Sequence, residues 1–311
     1  MAQASPRTLK RTHALAARLR ALSRSPEQRA ASGLMVVEGP RLAWEALREG
    51  AVIHEVVVSS KPPDDGAHPD LLQGMASRGV YPWTVDDATL GWLADAATPQ
   101  GILLLVERPR HTAQEIARPA SAPLLLVVCG VQDPGNVGAL VRLADAAGAK
   151  GCLTAGGADP FGPKALRASA GSIFRLPVAR REHLEDAAGI LAELRAAGYT
   201  VAGALARGGE DYRRAMPPPP LALVVGGEAA GLPQEVEKLL DARLTIPTNP
   251  RVESLNVATA AAVLLFAAAA GPLTTPRGAS PPAAPEARPS RLDEPFSPEP
   301  SRRGDGDPSA G

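Results

Sequence analysis

The chain has 311 residues, of which 45% are hydrophobic and 3% aromatic, and its 33 basic residues balance its 33 acidic ones. The length favours two domains. A net charge of zero excludes a protein that is basic throughout, so any contact with nucleic acid must come from a local patch. The few aromatic residues argue against an RNA-recognition sheet of stacked rings.

Residues 1–31 are predicted to form a basic arm. They carry seven cations against the single acid Glu27. Leu15, Leu19 and Leu22 recur at helical spacing, which indicates an amphipathic helix with one basic face. That face would either lie on RNA or be solvated, and an acid-poor, Arg-rich N-terminus is also typical of a transit peptide.

Residues 32–107 are predicted to form a small α/β domain. Apolar runs at 34–37, 52–58 and 102–106 indicate strands, and Gly39–Pro40 opens a helix that ends before Gly50. A turn cluster at 61–66 precedes a further helix at 69–78. The polar, Pro-bearing stretch 108–122 is typical of a linker.

Residues 123–271 are predicted to form a larger, doubly wound α/β domain. The continuous apolar run at 124–129 is typical of a parallel strand covered on both faces. Further strands are expected at 152–154, 175–177, 200–204, 221–225 and 244–246, and helices at 137–147, 182–197 and 254–270. Residues 272–311, with ten prolines, are predicted to be a disordered tail.

Several classes of site are excluded by what is missing. Cys129 and Cys152 lie in apolar surroundings, which indicates buried thiols in a reducing compartment and no disulfide scaffold. The five histidines lie away from the polar loops of the larger domain, so neither a zinc site nor a His-based triad is expected. The longest apolar run, 257–270, is too short to cross a bilayer. No secretory signal is found, and a cytoplasmic location is expected.

Three polar loops, each following a strand of the larger domain, are candidates for chemistry. In the first, Asp133 to Arg142, Asn136 could cap the next helix, and Arg142 follows one and a half turns later. The second has paired glycines and one acid, Glu228, after an apolar strand. The third runs from Ile246 to Asn256. A dinucleotide fingerprint and a phosphate-binding loop are both absent, which disfavours a nucleotide-binding oxidoreductase.

These segments resemble the motifs of the SpoU/TrmH family of RNA ribose 2′-O-methyltransferases, in the SPOUT class. Residues 133–148 (DPGNVGALVRLADAAG), 221–233 (LALVVGGEAAGLP) and 244–264 (LTIPTNPRVESLNVATAAAVL) are similar to its first, second and third motifs. Residues 161–174 (FGPKALRASAGSIF) are similar to the segment between the first two. The resemblance covers 123–271 closely and 32–107 more weakly. There, residues 36–41 (VVEGPR) resemble the start of the family's ribosomal-protein-like RNA-binding domain.

The resemblance implies an α/β SPOUT domain with a parallel sheet and a C-terminal trefoil knot. It also implies S-adenosylmethionine as cofactor, no metal, and a homodimer that completes the site. By position, the cofactor cradle would be Gly226, Ile246 and Leu255. The residues that match the family's catalytic positions are Asn136, Arg142, Glu228, Ser254 and Asn256.

The resemblance leaves roles open at some of these positions. Arg142 matches the family's proposed base, but a guanidinium holds its proton tightly, so phosphate anchoring with hydroxyl polarisation is an equal interpretation. Asn136 would orient the hydroxyl or Arg142, and the other polar residues would bind the loops together or cap the last helix. Gly227 and Ala258 depart from the family's common Asn and Ser.

The expected function is therefore methylation of a ribose 2′-hydroxyl in RNA, with ribosomal RNA favoured over transfer RNA. The alternative from another class is a non-catalytic RNA-binding factor for ribosome assembly. Such a factor would keep the fold without needing the catalytic residues.

Overall fold

The first domain is built on a five-stranded mixed sheet. In the computed structural model, which describes residues 7–61, 69–118, 123–228, 231–251 and 253–269, the strand order is β1-β4-β3-β5-β2. The strands are β1 (Arg7–Thr8), β2 (Leu34–Glu38), β3 (Ile53–Ser59), β4 (Pro82–Val85) and β5 (Ile102–Glu107). β5 is antiparallel to β2 and β3, whereas β4 is parallel to β1 and β3.

Helices pack on both faces of this sheet because successive side chains of a strand point to opposite sides. The helices are α1 (Ala14–Arg24), α2 (Pro26–Ser32), α3 (Pro40–Arg48), α4 (Pro69–Ala76) and α5 (Asp87–Leu93). In β2, Leu34 and Val36 join the core formed with α1 and α5. Met35 and Val37 join the core formed with α3 and α4.

The separation of residues 1–31 from this domain is wrong. The amphipathic helix is present as α1, and its leucines Leu15, Leu19 and Leu22 are buried in the core of the first domain. β1 adds a further parallel strand beside β4. The helical period reveals an apolar face but not its partner, so the boundary was placed too late in the chain. The first six residues lie outside the described part.

The predicted linker at 108–122 also needs correction. A short helix, α6 (Ala113–Ile116), begins with a capping box formed by Thr112 and Glu115. Ala113, Ile116 and Ala117 are buried against the second domain. Four residues are too few to show a helical period in the sequence. The last four residues of the predicted linker lie outside the described part.

The second domain is an α/β unit with a parallel seven-stranded sheet, as expected. Its order is β10-β12-β9-β11-β6-β7-β8, and every pairing is parallel. The strands are β6 (Leu124–Cys129), β7 (Gly151–Ala155), β8 (Val178–Arg181), β9 (Thr200–Ala204), β10 (Glu210–Asp211), β11 (Leu221–Gly226) and β12 (Ala242–Thr245). Every residue of β6 is buried.

Helices of the second domain cover both faces of this sheet. They are α7 (Pro134–Ala146), α8 (Pro163–Ser169), α9 (Asp186–Ala196), α10 (Tyr212–Ala215), α11 (Gln234–Glu237) and α12 (Val257–Ala268), with a 3-10 turn at Ser172–Phe174. α7 and α12 pack on the core that Leu126 and Leu223 join. α9 packs on the opposite core, with Leu125 and Val127.

The strand predicted at 175–177 is wrong. The amides of Arg175 and Leu176 both donate to the carbonyl oxygen of Ser172, so these residues form a turn that follows the 3-10 helix. Sheet pairing begins only at Val178, opposite Cys152. Among the strands that the sequence did not predict, β1 and β10 have two residues each and β4 has four. The proposed tail, 272–311, lies outside the described part.

One buried ion pair joins the two domains. Arg29, in α2, donates from Nε to Asp159 of the second domain at 2.6 Å, and both side chains are only 4% exposed. The Nη1 group of Arg29 also donates to the carbonyl oxygen of Leu22. The other oxygen of Asp159 accepts the amide of Phe161. Both charged groups therefore have a second hydrogen-bond partner inside the interface.

Two arginines of the second domain add further pairs across the boundary. Arg167, in α8, donates to Glu38 at 3.0 Å and to Asp95 at 2.7 Å. Arg175 donates to Glu45 at 2.7 Å. Glu38 is nearly buried at the end of β2. The two domains are thus fixed to each other by three arginines at separate points.

Candidate functional site

The site lies where the strand order of the second domain reverses. From β6 the chain proceeds outward to β7 and β8, and then returns to the other side of β6 through β9 and β11. In open α/β sheets, ligands bind outside the carboxyl ends of the strands at such a reversal. β6 and β11 pair directly and end together, with Cys129 opposite Gly226. The loops that carry Asn136 and Glu228 begin at this point.

A chain of side-chain hydrogen bonds links the three polar loops. Asn136 donates from Nδ2 to Oε1 of Glu228 at 2.6 Å. Its Oδ1 accepts Nδ2 of Asn256 at 3.2 Å. The Oδ1 of Asn256 accepts the amides of Ala258 and Thr259, so Asn256 caps α12. Residues from three separate segments therefore form one network, and the Asn136 amide is held from both sides.

The cap of α7 is Asp133 rather than Asn136, contrary to the sequence prediction. The Asp133 carboxylate accepts the amide of Asn136 at 2.9 Å and forms an ion pair with Lys164 at 2.6 Å. The hydrogen bond from Lys164, followed by that from the Asn136 amide, lowers the pKa of Asp133 below its ordinary value. Capping by Asp133 leaves the Asn136 side chain free for Glu228 and Asn256.

A cleft of about 670 Å³ opens beside this network. Five predicted site residues line it: Gly226, Glu228, Ile246, Ser254 and Leu255. Sequence reasoning did not single out two exposed arginines of the lining, Arg207 and Arg251. Arg251 lies inside the third motif segment, so its charge in that segment was the available signal.

The glycines of the second loop leave the cleft wall without side chains. A Cβ at Gly226 would lie 2.3 Å from the carbonyl carbon of Gly231, where the loop folds back on itself. A Cβ at Gly227 would lie 2.7 Å from the carbonyl oxygen of Gly130. Position 227 therefore has no room for the Asn common in the family unless the Gly130 backbone moves.

This cleft fits S-adenosylmethionine. Its volume lies in the range of small-molecule sites. It is lined by the backbone of Gly226 and Gly227 and by the apolar residues Ile246, Leu255 and Val257. Backbone polar groups beside apolar side chains suit a ligand that has an aromatic base with polar edges.

Arg142 and Ser254 stand apart from the hydrogen-bonded network. Arg142 is exposed on α7, it does not line the cleft, and its side chain has no hydrogen-bond partner among the described residues. Ser254 lines the cleft, and its hydroxyl has no partner in the same part of the chain. The structure thus joins Asn136, Glu228 and Asn256 directly and leaves Arg142 on a free surface.

The two cysteines are buried and unpaired with each other. Burial raises the pKa of each thiol to about 12, so neither is a nucleophile near neutral pH. Among the described residues, no three His, Cys, Asp or Glu side chains are grouped as metal ligands. In the same part of the chain, no helix has the length and apolar character needed to cross a bilayer.

Comparison with known families gives two adjacent matches. Residues 123–266 match the SpoU rRNA Methylase family. Residues 17–104 match the MRM3-like substrate binding domain. The second match begins inside α1, in agreement with the packing of that helix on the first domain.

Named relatives and solved structures extend over both domains. The 23S rRNA (guanosine(2553)-2′-O)-methyltransferase RlmP of Bacillus subtilis is 32% identical over 241 residues, covering 77% of this chain and 90% of the relative. The mitochondrial rRNA methyltransferase 3 of Homo sapiens is 30% identical over 285 residues, covering 75% and 67%. An AdoMet-bound rRNA methyltransferase from Sinorhizobium meliloti has a TM-score of 0.72 at 30% identity, covering 84% and 96%.

Proposed function

Because the chain belongs to the SpoU rRNA methylase family, we propose that this RNA 2′-O-methyltransferase acts on a ribose of ribosomal RNA. Its activity and its use of S-adenosylmethionine follow from the family. The choice of ribosomal RNA is supported by the names of the relatives from Bacillus subtilis and Homo sapiens. The substrate-binding match at residues 17–104 supports it as well. Transfer RNA is the alternative substrate.

The network of Asn136, Glu228 and Asn256 is the observation that carries the proposed site. A ribose hydroxyl is a weak nucleophile near neutral pH, so it must be held in line with the group it attacks and helped to lose its proton. Asn136 keeps one amide N–H, and Glu228 keeps one carboxylate oxygen, without partners among the described residues. Asn136 orients the hydroxyl, and Glu228 and Asn256 hold Asn136 in place.

The cofactor supplies a methyl group on a positively charged sulfonium. The residues proposed to hold it are Gly226, through its backbone, and Ile246 and Leu255, through apolar contact. Ser254 lines the same cleft and is proposed to bind a polar group of the cofactor. None of these residues transfers a proton.

Arg142 is proposed to bind an RNA phosphate and to polarise the hydroxyl. A guanidinium holds its proton tightly near neutral pH, which argues against a role as free base. Its exposed position on α7 leaves all of its donors available to a phosphate.

A homodimer is proposed to bring Arg142 to the reacting atoms. α12 is apolar on all sides, and such a helix is normally buried. Here its Phe266 is 44% exposed. α7, which carries Arg142, packs directly against α12. A second copy covering α12 would therefore lie beside Arg142 and complete the site.

Two further expectations from the sequence are kept as proposals. The trefoil knot at the C-terminus of the second domain is one of them. A cytoplasmic location is the other, and it is supported by two cysteines that are buried and free.

The function is tested with the purified protein, labelled S-adenosylmethionine and ribosomal or transfer RNA. Alkali cleaves RNA through the 2′-hydroxyl, so a methylated ribose leaves one labelled, uncut dinucleotide. We expect that product from ribosomal RNA with the wild type and with Arg181→Ala, an exposed control arginine, but not with Arg142→Ala. Label in transfer RNA alone would show that the substrate is transfer RNA and not ribosomal RNA. Cofactor and RNA binding without transfer to either RNA would favour the non-catalytic assembly factor.

A further inference from the structure

The outer surface of α1 combines positive charge with small side chains. Between Arg7 and Arg24 the chain has six cations and no acid. The leucines of α1 are buried, which fixes the opposite side of the helix toward solvent. That side exposes Arg18 and Arg24 with Ala14, Ala17 and Ala21 between and beside them. A chain of phosphates can approach such a surface closely, because the alanines leave room between the cations.

None of these six cations is used for an ion pair within the described part of the chain. The arginines at the domain boundary behave differently, since Arg29, Arg167 and Arg175 all contact carboxylates. Several of the cations also lie close enough to repel one another. Partial burial, followed by repulsion from Arg24 and Arg11, lowers the pKa of Arg20.

Four acids of the first domain accept hydrogen bonds from within the protein. Glu27 accepts the hydroxyl of Ser25. Asp86 caps α5 through the amide of Thr89, and Asp87 accepts the hydroxyl of Ser59. Glu55 accepts Nε1 of Trp83. None of these four acids forms an ion pair with the six cations, and the side chains of Arg18 and Arg24 have no hydrogen-bond partner among the described residues. Their donors are therefore available to an external anion.

Two arginine side chains lie over tryptophan rings beside the same surface. The Arg7 guanidinium lies 3.7 Å from the centroid of the Trp83 ring, and that of Arg20 lies 4.0 Å from the Trp92 ring. A cation on an aromatic face is attracted by the ring and loses freedom of movement. Guanidinium groups and aromatic rings are both side chains on which unstacked RNA bases can stack.

We infer that this surface, formed by Arg7, Lys10, Arg11, Arg18, Arg20, Arg24, Trp83 and Trp92 and called here the basic face, binds the phosphate backbone of single-stranded RNA. The inference rests on the proposed RNA substrate and assigns the part of the first domain that holds it. Backbone contacts set position and orientation without reading sequence. The basic face would therefore hold the RNA while the second domain selects the reacting ribose.

The test compares two double variants of the full chain that remove the same charge. Arg18→Ala with Arg24→Ala removes two cations of the basic face and keeps α1, since Ala favours helices. Lys150→Ala with Lys238→Ala removes two exposed cations of the second domain. Binding to a short single-stranded RNA of mixed sequence is measured by fluorescence anisotropy between about 50 and 200 mM salt.

We expect the basic-face variant to raise Kd about tenfold and to reduce the slope of log Kd against log salt by about 1.4, at about 0.7 per lost phosphate contact. The lysine control should keep both values near those of the wild type. Arg18→Lys with Arg24→Lys should restore the slope, because the charge is kept. Equal weakening by the control, or an unchanged slope in the basic-face variant, would overturn the assignment.

Methyl transfer is measured on the same preparations so that the two proposals fail separately. A wild type that binds RNA through the basic face yet transfers no methyl group would refute the proposed function and leave the surface in place. Normal transfer and normal binding by the basic-face variant would refute the surface and leave the function. Circular dichroism of each variant checks that its overall helix content is the same as that of the wild type.

Discussion

Asp159→Ala tests whether the buried pair with Arg29 fixes the two domains to each other. Both side chains are 4% exposed and their charged atoms lie 2.6 Å apart. Removing the carboxylate leaves the Arg29 cation buried with only the Leu22 carbonyl as a partner. Breaking a buried pair in this way costs about 3–5 kcal/mol. We therefore expect the free energy of unfolding to fall by this amount.

Urea denaturation provides the measurement, with two probes that report different parts of the chain. All three tryptophans, Trp44, Trp83 and Trp92, lie in the first domain, so fluorescence follows that domain while circular dichroism follows both. In the wild type the two curves should coincide, because ion pairs and a hydrophobic cluster shared by both domains couple them. In Asp159→Ala the fluorescence transition should move to lower urea and separate from the other.

An exposed pair supplies the control for this experiment. Arg181 and Glu193 are 44% and 36% exposed and 3.6 Å apart. Arg181→Ala should therefore change stability by less than about 1 kcal/mol. Arg29→Met combined with Asp159→Leu should recover most of the loss, because neither charge is then left unpaired. A shift in Asp159→Ala no larger than that of Arg181→Ala would refute the reasoning.

Four further outcomes follow from the site. Asn136→Ala should lower kcat by about 100-fold or more with little change in cofactor affinity, as measured by methyl transfer and calorimetry, since it removes an orienting donor; a normal kcat would contradict its role. Arg142→Ala should abolish transfer in the same assay, whereas near-normal turnover would exclude Arg142 from the site. Gly226→Ala should eliminate the rise in Tm that S-adenosylmethionine gives the wild type, because its Cβ would lie 2.3 Å from Gly231; an undiminished rise would contradict the cradle. Phe266→Glu should convert the proposed dimer to a monomer in light scattering, and a dimer of unchanged mass would refute the α12 interface.

The sequence was most informative where a pattern is long or a motif is dense. The apolar run of β6 and the leucine period of α1 each predicted the element that the structure contains. The motif segments identified Asn136, Glu228 and Asn256 as candidate site residues, although the three are far apart along the chain. Periodicity and motif content depend only on local sequence, so they can be recognised without knowing the fold.

These sequence patterns do not indicate which distant residues contact each other in the folded chain. Nothing in the sequence around Arg29 indicates that its partner is Asp159, 130 positions away. The helix cap was assigned to Asn136, which lies inside α7, whereas Asp133 directly precedes the first helical residue, Pro134, and takes that role. The pairing of Arg29 depends on packing between distant segments, which local propensity does not record. The cap could have been read locally, because Pro134 at the first helical position places the cap on the residue before it.

The arginines at the domain boundary have a consequence for how such proteins diversify. Arg167 and Arg175 reach into the first domain for Glu38 and Glu45, and Arg29 reaches the other way. A first domain taken from another protein would leave these cations facing side chains that do not match them. The two domains are therefore poor candidates for exchange as independent modules. New substrates would be reached more readily by substitutions on the outer surface of the first domain than by replacing that domain whole.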